Sequence, residues 1–204
     1  MRQIFVSHIY NILNLLSTKQ INNGYHSLEQ AIPVAFLQSG LYFFVDPSIP
    51  RINGDGFKIV RIGITGNNGN NRLQLHKNGS ITNSVFRKHI GHALMVQNNA
   101  AINEIHISNY IQQLKYVFLP VEDQVHLKML EKSLIEIISN CNQLNQIDIP
   151  GANWLGIQIG PNINNAIACS HLWNVHHVRN YNANNIENYH QLLNELENTV
   201  NALP

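Results

Sequence analysis

Apolar residues recur at two different spacings along the chain, and each spacing predicts a different kind of secondary structure. In the segments Ile4–Leu16, Val85–Val96 and Glu122–Ser139 they fall three or four positions apart, as they do near the end in Ile186–Val200. This spacing places apolar side chains on one face of a helix. The sequence therefore predicts four amphipathic helices, and a weaker pattern in Ile102–Leu114 indicates a fifth.

Three shorter runs are rich in aromatic and β-branched residues, which is typical of strands. They are Leu41–Val45, Phe57–Ile64 and Lys115–Leu119, and Pro120 ends the third. The first two runs are separated by a loop rich in Pro and Gly, so we expect them to be neighbouring strands. The sequence as a whole predicts an α/β fold of the α+β type, with a small, mostly antiparallel three-stranded sheet flanked by helices.

Turn-forming residues predict two further helix starts. Ser27 can cap a short helix, which Pro33 would limit. Asn and Gly residues at positions 66–71 form a turn cluster, after which Arg72–Lys77 begins another helix. We therefore expect one short helix before the first strand and one directly after the second.

The length and composition of the chain are typical of a globular protein. At 204 residues and 44% hydrophobic content, the chain can bury a full core as one domain. No apolar stretch reaches the ~18 residues of a membrane span. Polar residues interrupt the first segment too early for a signal peptide. We expect a cytoplasmic protein with no membrane partner.

The cysteines and histidines do not follow a metal-binding pattern. Cys141 and Cys169 have no metal-ligand spacing, and we expect two reduced thiols rather than a disulfide. His171 and the pair His176 and His177 lack a Cys-x-x-Cys or His-Glu-x-x-His partner. We therefore expect no zinc site.

Basic residues are concentrated in one part of the chain. The formal net charge is only +1. Seven basic residues and one acid, Asp55, lie between positions 51 and 88, which gives a local charge of 7 − 1 = +6. The seven are Arg51, Lys58, Arg61, Arg72, Lys77, Arg87 and Lys88. Such a cluster can attract a polyanion, although scattered solvated cations are the simpler interpretation.

Three short motifs occur in order within this region. Gly40-Leu41-Tyr42 opens the first strand, Arg61-Ile62-Gly63 lies in the second, and Arg72 and His76 follow on the next helix. This ordered set resembles the catalytic core of the GIY-YIG nucleases. In that family two antiparallel strands carry the three-residue motifs, the next helix presents an arginine with a His or Tyr, and a later helix supplies one metal-binding glutamate.

The resemblance implies a division of the chain. Residues 36–145 would form the catalytic core, preceded by an N-terminal helical segment at 1–35 and followed by a C-terminal extension at 146–204 that ends in a helix. All three parts would belong to a single domain, because a chain of this length and hydrophobic content can bury a full core as one domain.

The motif residues suit the hydrolysis of a phosphodiester. Arg72 can donate two parallel hydrogen bonds to phosphate oxygens. His76 lies four residues later and therefore on the same helical face, where it can bond a water or a tyrosine hydroxyl. The resemblance makes Tyr42 the group that activates water with His76. A phenol acts as a base only where nearby cations favour the phenolate.

Arg61 departs from the family pattern. It stands where the second motif of the family has a tyrosine. A cation there can bind phosphate or stabilise a phenolate, but it cannot carry out the proton chemistry of a tyrosine. We expect Arg61 and Arg72 to hold the phosphate together.

The resemblance assigns the metal to Glu131. Leu134 and Ile135 follow this glutamate at the family's spacing, whereas Glu136 lies well off its helical face. The implied cofactor is Mg²⁺, with Mn²⁺ as a possible substitute. The family also has a later asparagine, for which Asn140 is our choice among three candidates; the other two are Asn142 and Asn145.

Four further cations are candidate substrate-binding residues. They are Lys58, Lys77, Arg87 and Lys88. The last two belong to the segment 84–92, whose helix either Asn83 or Ser84 can cap. The alternative interpretation of this segment is an amphipathic helix that packs on the core.

The predicted function is divalent-metal-dependent endonuclease activity on DNA, of restriction or defence type, with a homodimer possible. An RNA-cleaving nuclease is the nearest alternative. A catalytically inactive nucleic-acid-binding protein of the same fold is another, and a protein-interaction module with coincidental motifs is a third.

Overall fold

The computed structural model describes residues 1–20, 24–33, 36, 38–52, 54–66, 69–141 and 146–204, and the side chains of 69–71 and 160–163 are not part of that description. Part of the predicted turn cluster, residues 67 and 68, therefore lies outside the described residues. So do two of the candidate asparagines, Asn142 and Asn145.

The sheet has four antiparallel strands within the described residues. They are β1 (His26–Ser27), β2 (Gly40–Pro50), β3 (Phe57–Thr65) and β4 (Lys115–Pro120), in the spatial order β1-β4-β2-β3. The predicted α+β class is confirmed, and the sheet has one short strand more than expected. The short helix predicted at Ser27 is wrong. Ser27 pairs with Lys115, and its hydroxyl accepts a hydrogen bond from the Glu29 amide in the turn that follows.

Seven α-helices surround the sheet in the described part of the chain. They are α1 (Arg2–Gln20), α2 (Gly69–Asn78), α3 (Val85–Asn98), α4 (Glu104–Gln113), α5 (Gln124–Ile138), α6 (Gly160–Ser170) and α7 (Ile186–Asn201). Short 3₁₀ helices precede the last two, at Leu155–Ile159 and Ala183–Asn185. The amphipathic helices predicted from spacing are all present. No helix among the described residues has the length and apolar character to cross a membrane.

Alternation along the strands divides the core into two layers. Leu41, Phe43 and Val45 of β2 face one side of the sheet, where α1, α5 and α7 cover them. Tyr42 and Phe44 face the other side, together with apolar residues of α3, α4 and the 3₁₀ helix Leu155–Ile159. Successive side chains of a strand point to opposite faces, so both faces of β2 are buried. Residues Tyr42 and Gly63 stand opposite each other in the β2–β3 pair.

The outer edge of β3 is covered by residues from the C-terminal part of the chain. The Trp173 amide donates to the Val60 carbonyl at 2.7 Å. The Asn174 side chain accepts from the Ile62 amide at 3.1 Å and donates to the Ile62 carbonyl at 2.8 Å. A segment more than 100 residues from the motifs in the sequence is therefore held beside them.

The two cysteines are joined, so the predicted pair of reduced thiols is wrong. Cys141 follows α5 and Cys169 lies near the end of α6, and the disulfide brings their Cα atoms to 4.7 Å. Residues 28 positions apart in sequence meet because α6 packs near the end of α5. Spacing along the chain gives no information about such a contact.

Candidate active site

Tyr42 and His76 form the centre of the candidate site. The Tyr42 hydroxyl lies 2.9 Å from His76 Nε2, which joins β2 to α2. Both side chains are buried, and Phe44 and Phe86 pack against the His76 ring. The hydrogen bond fixes the direction of the tyrosine oxygen.

Two glycines of the motifs make room for this arrangement. Gly63 lies opposite Tyr42, and a Cβ added to it would overlap the Tyr42 ring and hydroxyl. A Cβ on Gly40 would overlap the Leu119 carbonyl and come within 2.5 Å of the Phe118 ring. The third residue of one motif and the first of the other are therefore glycine for steric reasons.

Ser84 is the second partner of His76. Its hydroxyl lies 3.1 Å from His76 Nδ1 and also accepts from the Arg87 amide at 3.3 Å as the cap of α3. When Nδ1–H donates to Ser84, Nε2 is free to accept from the Tyr42 hydroxyl. Burial, assisted by the positive charges of Arg61 and Arg72, holds the pKa of His76 well below its ordinary value. His76 is therefore a neutral hydrogen-bond partner near neutral pH.

Arg61 extends from β3 toward the side of the sheet on which Tyr42 and His76 lie. Its NH1 atom donates to the Trp173 carbonyl at 3.0 Å, and its Cζ atom lies 4.7 Å from the centre of the Phe86 ring. Its Nε atom is buried without a hydrogen-bond partner among the described residues. An unpaired donor on a held guanidinium is a ready partner for an anion.

Four of the predicted residues line one cavity. The cavity has a volume of about 310 Å³, and its walls include Tyr42, Arg61, Arg72 and Glu131. Arg72 is exposed at the start of α2, and no described residue forms an ion pair with it. The arginine is thus free to bind an incoming anion.

Glu131 reaches the cavity from α5, on the opposite side of the sheet from His76. Burial raises the pKa of its carboxyl group, against the opposing effect of Arg61 and Arg72 and a backbone hydrogen bond from Ile64. No ion pair to Glu131 occurs within the described residues. A partly buried carboxylate that has no ion-pair partner among the described residues is a suitable donor for a hard divalent cation, so the residues present fit a Mg²⁺ or Mn²⁺ ion.

Sequence reasoning missed several residues of the site. The sequence indicates only a helix-capping role for Ser84. The segment 173–177 contributes the remaining wall of the cavity, including His176 beside Glu131. Only the pair of histidines in this segment gave a signal, and their spacing did not indicate a role.

The predicted substrate contact of Lys58 is wrong for this conformation. Lys58 is fully buried, and its ammonium group lies 2.8 Å from an Asp148 carboxylate oxygen. Arg51 binds the other oxygen of this carboxylate at 3.1 Å, and the Tyr10 hydroxyl donates to the same oxygen as Lys58. Because the charge is neutralised inside the protein, Lys58 ties β3 to the segment around Asp148 and cannot reach a polyanion.

Arg87 is also structural. It is fully buried and donates to the His76 and Lys77 carbonyls at 2.9 and 2.8 Å, at the end of α2. Its other nitrogens bind the Glu104 carboxylate at 2.8 Å and the Ser108 hydroxyl at 2.9 Å. The predicted phosphate contact is therefore wrong, and Arg87 instead holds the helix that carries His76.

Asn140 does not belong to the cavity. Its side-chain amide donates to the Asp148 carbonyl and contacts His171, and its oxygen accepts from the Ile147 and Asp148 amides. These contacts use the hydrogen-bonding capacity of a buried asparagine. The predicted catalytic role is not compatible with this position, and Asn140 orders the segment near Asp148.

The remaining two candidate cations, Lys77 and Lys88, differ in whether they are hydrogen-bonded within the protein. Lys77 donates to the Glu29 and Gln30 carbonyls at 3.2 and 3.3 Å. Lys88 is exposed on α3. Since three of the seven clustered basic residues are buried in internal contacts, the exposed positive charge is much smaller than the local +6 counted from the sequence.

A strand pair with Tyr42 and Arg61, a following helix with Arg72 and His76, and a glutamate on a later helix define a nuclease-type core. Comparison with protein families agrees with this class. The family model described as GIY-YIG domain matches residues 1–104 and 96–202. The chain therefore belongs to the GIY-YIG superfamily of nucleases. Searches of curated proteins and of solved structures gave no significant match.

Proposed function

We propose that the protein is a divalent-metal-dependent endonuclease that hydrolyses phosphodiester bonds in DNA, in restriction or defence. The observation that carries this proposal is the single cavity lined by Tyr42, Arg61, Arg72 and Glu131 in a chain of the GIY-YIG superfamily. Lys58 and Arg87 are buried and do not reach the substrate surface, so Arg61 and Arg72 are the main anion-binding groups of the site. We therefore expect modest affinity for nucleic acid and only a shallow dependence of that affinity on salt, because few phosphates are neutralised.

Arg72 and Arg61 would hold the phosphate. Arg72 is exposed and has no ion-pair partner among the described residues, so it can contact a substrate first. The Nε of Arg61 is buried and unpaired, and it can donate a further hydrogen bond once a side chain of the cavity wall moves. Both guanidinium groups would stabilise the negative charge that builds on the phosphoryl oxygens. Glu131 would hold Mg²⁺ or Mn²⁺, which supplies charge stabilisation at the phosphate when bound.

Tyr42 and His76 would orient the attacking water. His76 is neutral and directs the tyrosine hydrogen away from the cavity, which leaves a lone pair of the tyrosine oxygen for the proton of a water molecule. Tyr42 has no exposed surface, so a side chain of the cavity wall must move before water reaches it. In this proposal, binding of a phosphate by Arg61 provides that movement.

The burial of Tyr42 also favours a second candidate function, a nucleic-acid-binding protein of this fold that does not cleave. The test is to incubate wild type and the variants Glu131→Gln and Arg72→Ala with supercoiled plasmid, long mixed-sequence duplex and total tRNA. Each reaction contains Mg²⁺, Mn²⁺ or EDTA. DNA cleavage that requires the metal and is lost in both variants supports the endonuclease.

The other outcomes separate the alternatives. Discrete DNA fragments would add a restriction-type specificity. Cleavage of tRNA without cleavage of duplex DNA would replace the proposed substrate by RNA. Salt-sensitive binding without cleavage under any condition would support the non-cleaving protein, and equal cleavage by wild type and Glu131→Gln would remove Glu131 from the metal site.

A further inference from the structure

The segment 173–178 is fixed at both ends. At its start, Trp173 and Asn174 are bonded to the edge of β3. At its end, the Ser139 hydroxyl donates to the Val178 carbonyl from the residue after α5. The intervening residues are therefore anchored to both elements that contribute Arg61 and Glu131 to the cavity.

The backbone within this segment has an unfavourable conformation. His177 has a φ of 64°, in the left-handed region that non-glycine residues seldom adopt. Such conformations persist where the surrounding structure holds them, and they occur often at functional sites. Here the turn places two consecutive histidines, His176 and His177, in the wall of the same cavity as Glu131.

His176 is the member of the pair that acts on Glu131. It is exposed and lines the same cavity as Glu131, close enough to oppose the rise that burial causes in the pKa of the Glu131 carboxyl group. Within the described residues, His176 has neither a hydrogen bond nor an ion pair that would occupy its ring nitrogens. An imidazole with two available nitrogens, in the same cavity wall as a carboxylate without an ion-pair partner among the described residues, is a mixed donor pair for a divalent ion.

We propose that His176 is a second protein ligand, with Glu131, for the divalent ion of this site. The inference rests on the metal-dependent function proposed above. Magnesium prefers oxygen ligands, whereas an imidazole donor favours ions later in the first transition series, beginning with Mn²⁺. The pair therefore makes Mn²⁺ the preferred ion over Mg²⁺.

The test measures ion binding by the full chain in the absence of nucleic acid. Mn²⁺ alone and Mg²⁺ alone are titrated into wild type, His176→Asn, His177→Asn and Glu131→Gln, with circular dichroism to check folding. His177→Asn is the matched control, because it removes the neighbouring imidazole and asparagine tolerates the left-handed conformation. Pulsed electron paramagnetic resonance on the Mn²⁺ samples reports nitrogen coordination directly.

We expect wild type to bind Mn²⁺ more tightly than Mg²⁺ and to show a nitrogen coupling. His176→Asn should weaken Mn²⁺ binding about 10-fold or more, remove the nitrogen coupling and leave Mg²⁺ binding unchanged. His177→Asn should retain both properties. Glu131→Gln should weaken the binding of both ions.

Four outcomes overturn the inference. They are a nitrogen coupling that persists in folded His176→Asn, equal loss of Mn²⁺ binding in the two histidine variants, no measurable binding of Mn²⁺ to wild type, and loss of the ion in Glu131→Gln alone. None of these requires nucleic acid, so they are separate from failure of the endonuclease proposal, which the cleavage reactions test. If Glu131→Gln alone loses the ion, Glu131 remains the metal ligand and His176 is excluded.

Discussion

Replacement of Ser84 by alanine should affect both stability and the position of His76. The Ser84 hydroxyl caps α3 through the Arg87 amide at 3.3 Å and contacts His76 Nδ1 at 3.1 Å. Loss of a serine cap costs about 1 kcal/mol. A buried ring nitrogen left without a partner costs a further ~1–3 kcal/mol. We therefore expect Ser84→Ala to lower the free energy of unfolding by about 2–4 kcal/mol.

The two contributions can be separated by a double-mutant cycle. In a His76→Phe background the ring nitrogens are absent, so Ser84→Ala should cost only the cap, about 1 kcal/mol. The coupling energy between the two positions should then be about 1–3 kcal/mol. Urea denaturation of the four proteins measures it, provided that the m-values agree. Ser84→Thr keeps the hydroxyl and should remain close to wild type in stability.

A cleavage assay provides a second test of whether Ser84 holds His76 in position. Ser84→Ala should cut less than wild type even at a temperature where both are folded, because His76 would no longer be held against Tyr42. Equal costs of Ser84→Ala in the two backgrounds would refute the reasoning. Ser84 would then act only as a helix cap, and the contact with His76 would have no energetic role.

Three further predictions concern stability. Gly63→Ala should lower the free energy of unfolding by about 1–3 kcal/mol and reduce cleavage, because the added methyl group displaces Tyr42. An unchanged midpoint in thermal denaturation would contradict this prediction. Asp148→Asn should lower the free energy of unfolding, measured by urea denaturation, by about 3–5 kcal/mol, since Lys58 remains buried without a counter-charge. A decrease below about 1 kcal/mol would argue against a buried ion pair. Four buried histidines, His26, His76, His89 and His171, have pKa values that are lowered chiefly because of burial, with values of about 4 for the last two. The histidines bind protons more readily in the unfolded chain than in the folded protein. The free energy of unfolding should therefore be highest above about pH 7 and should fall toward pH 4 by about 1.4 kcal/mol per pH unit for each histidine. A free energy of unfolding that does not change over this pH range would exclude the lowered pKa values.

Much of the fold and the centre of the site could be predicted because their signals are local. The helices and strands follow from the spacing of apolar residues. Tyr42, Arg61, Arg72 and His76 belong to consecutive elements, so their order in the sequence reflects their proximity in the structure. Glu131 could be placed only through the resemblance to the family.

The incorrect predictions concern contacts between distant parts of the chain. Lys58 and Arg87 are candidate substrate-binding residues in the sequence because they belong to a cluster of basic residues. Their partners, Asp148 and Glu104, lie 90 and 17 positions away. Whether a basic residue is solvated or paired inside the protein depends on such tertiary partners, which composition and spacing do not contain.

The amide side chain of Asn174 bears on how copies of this chain can associate. By accepting from the Ile62 amide and donating to its carbonyl, it satisfies the backbone of β3 as an adjoining strand would. An open sheet edge is a common route to dimers and to aggregation, because a second chain can extend the sheet there. This stretch of β3 cannot serve that purpose while Asn174 is in place. If a homodimer positions two sites to cut both strands of a duplex, its interface therefore does not form by extension of the sheet at this stretch of β3.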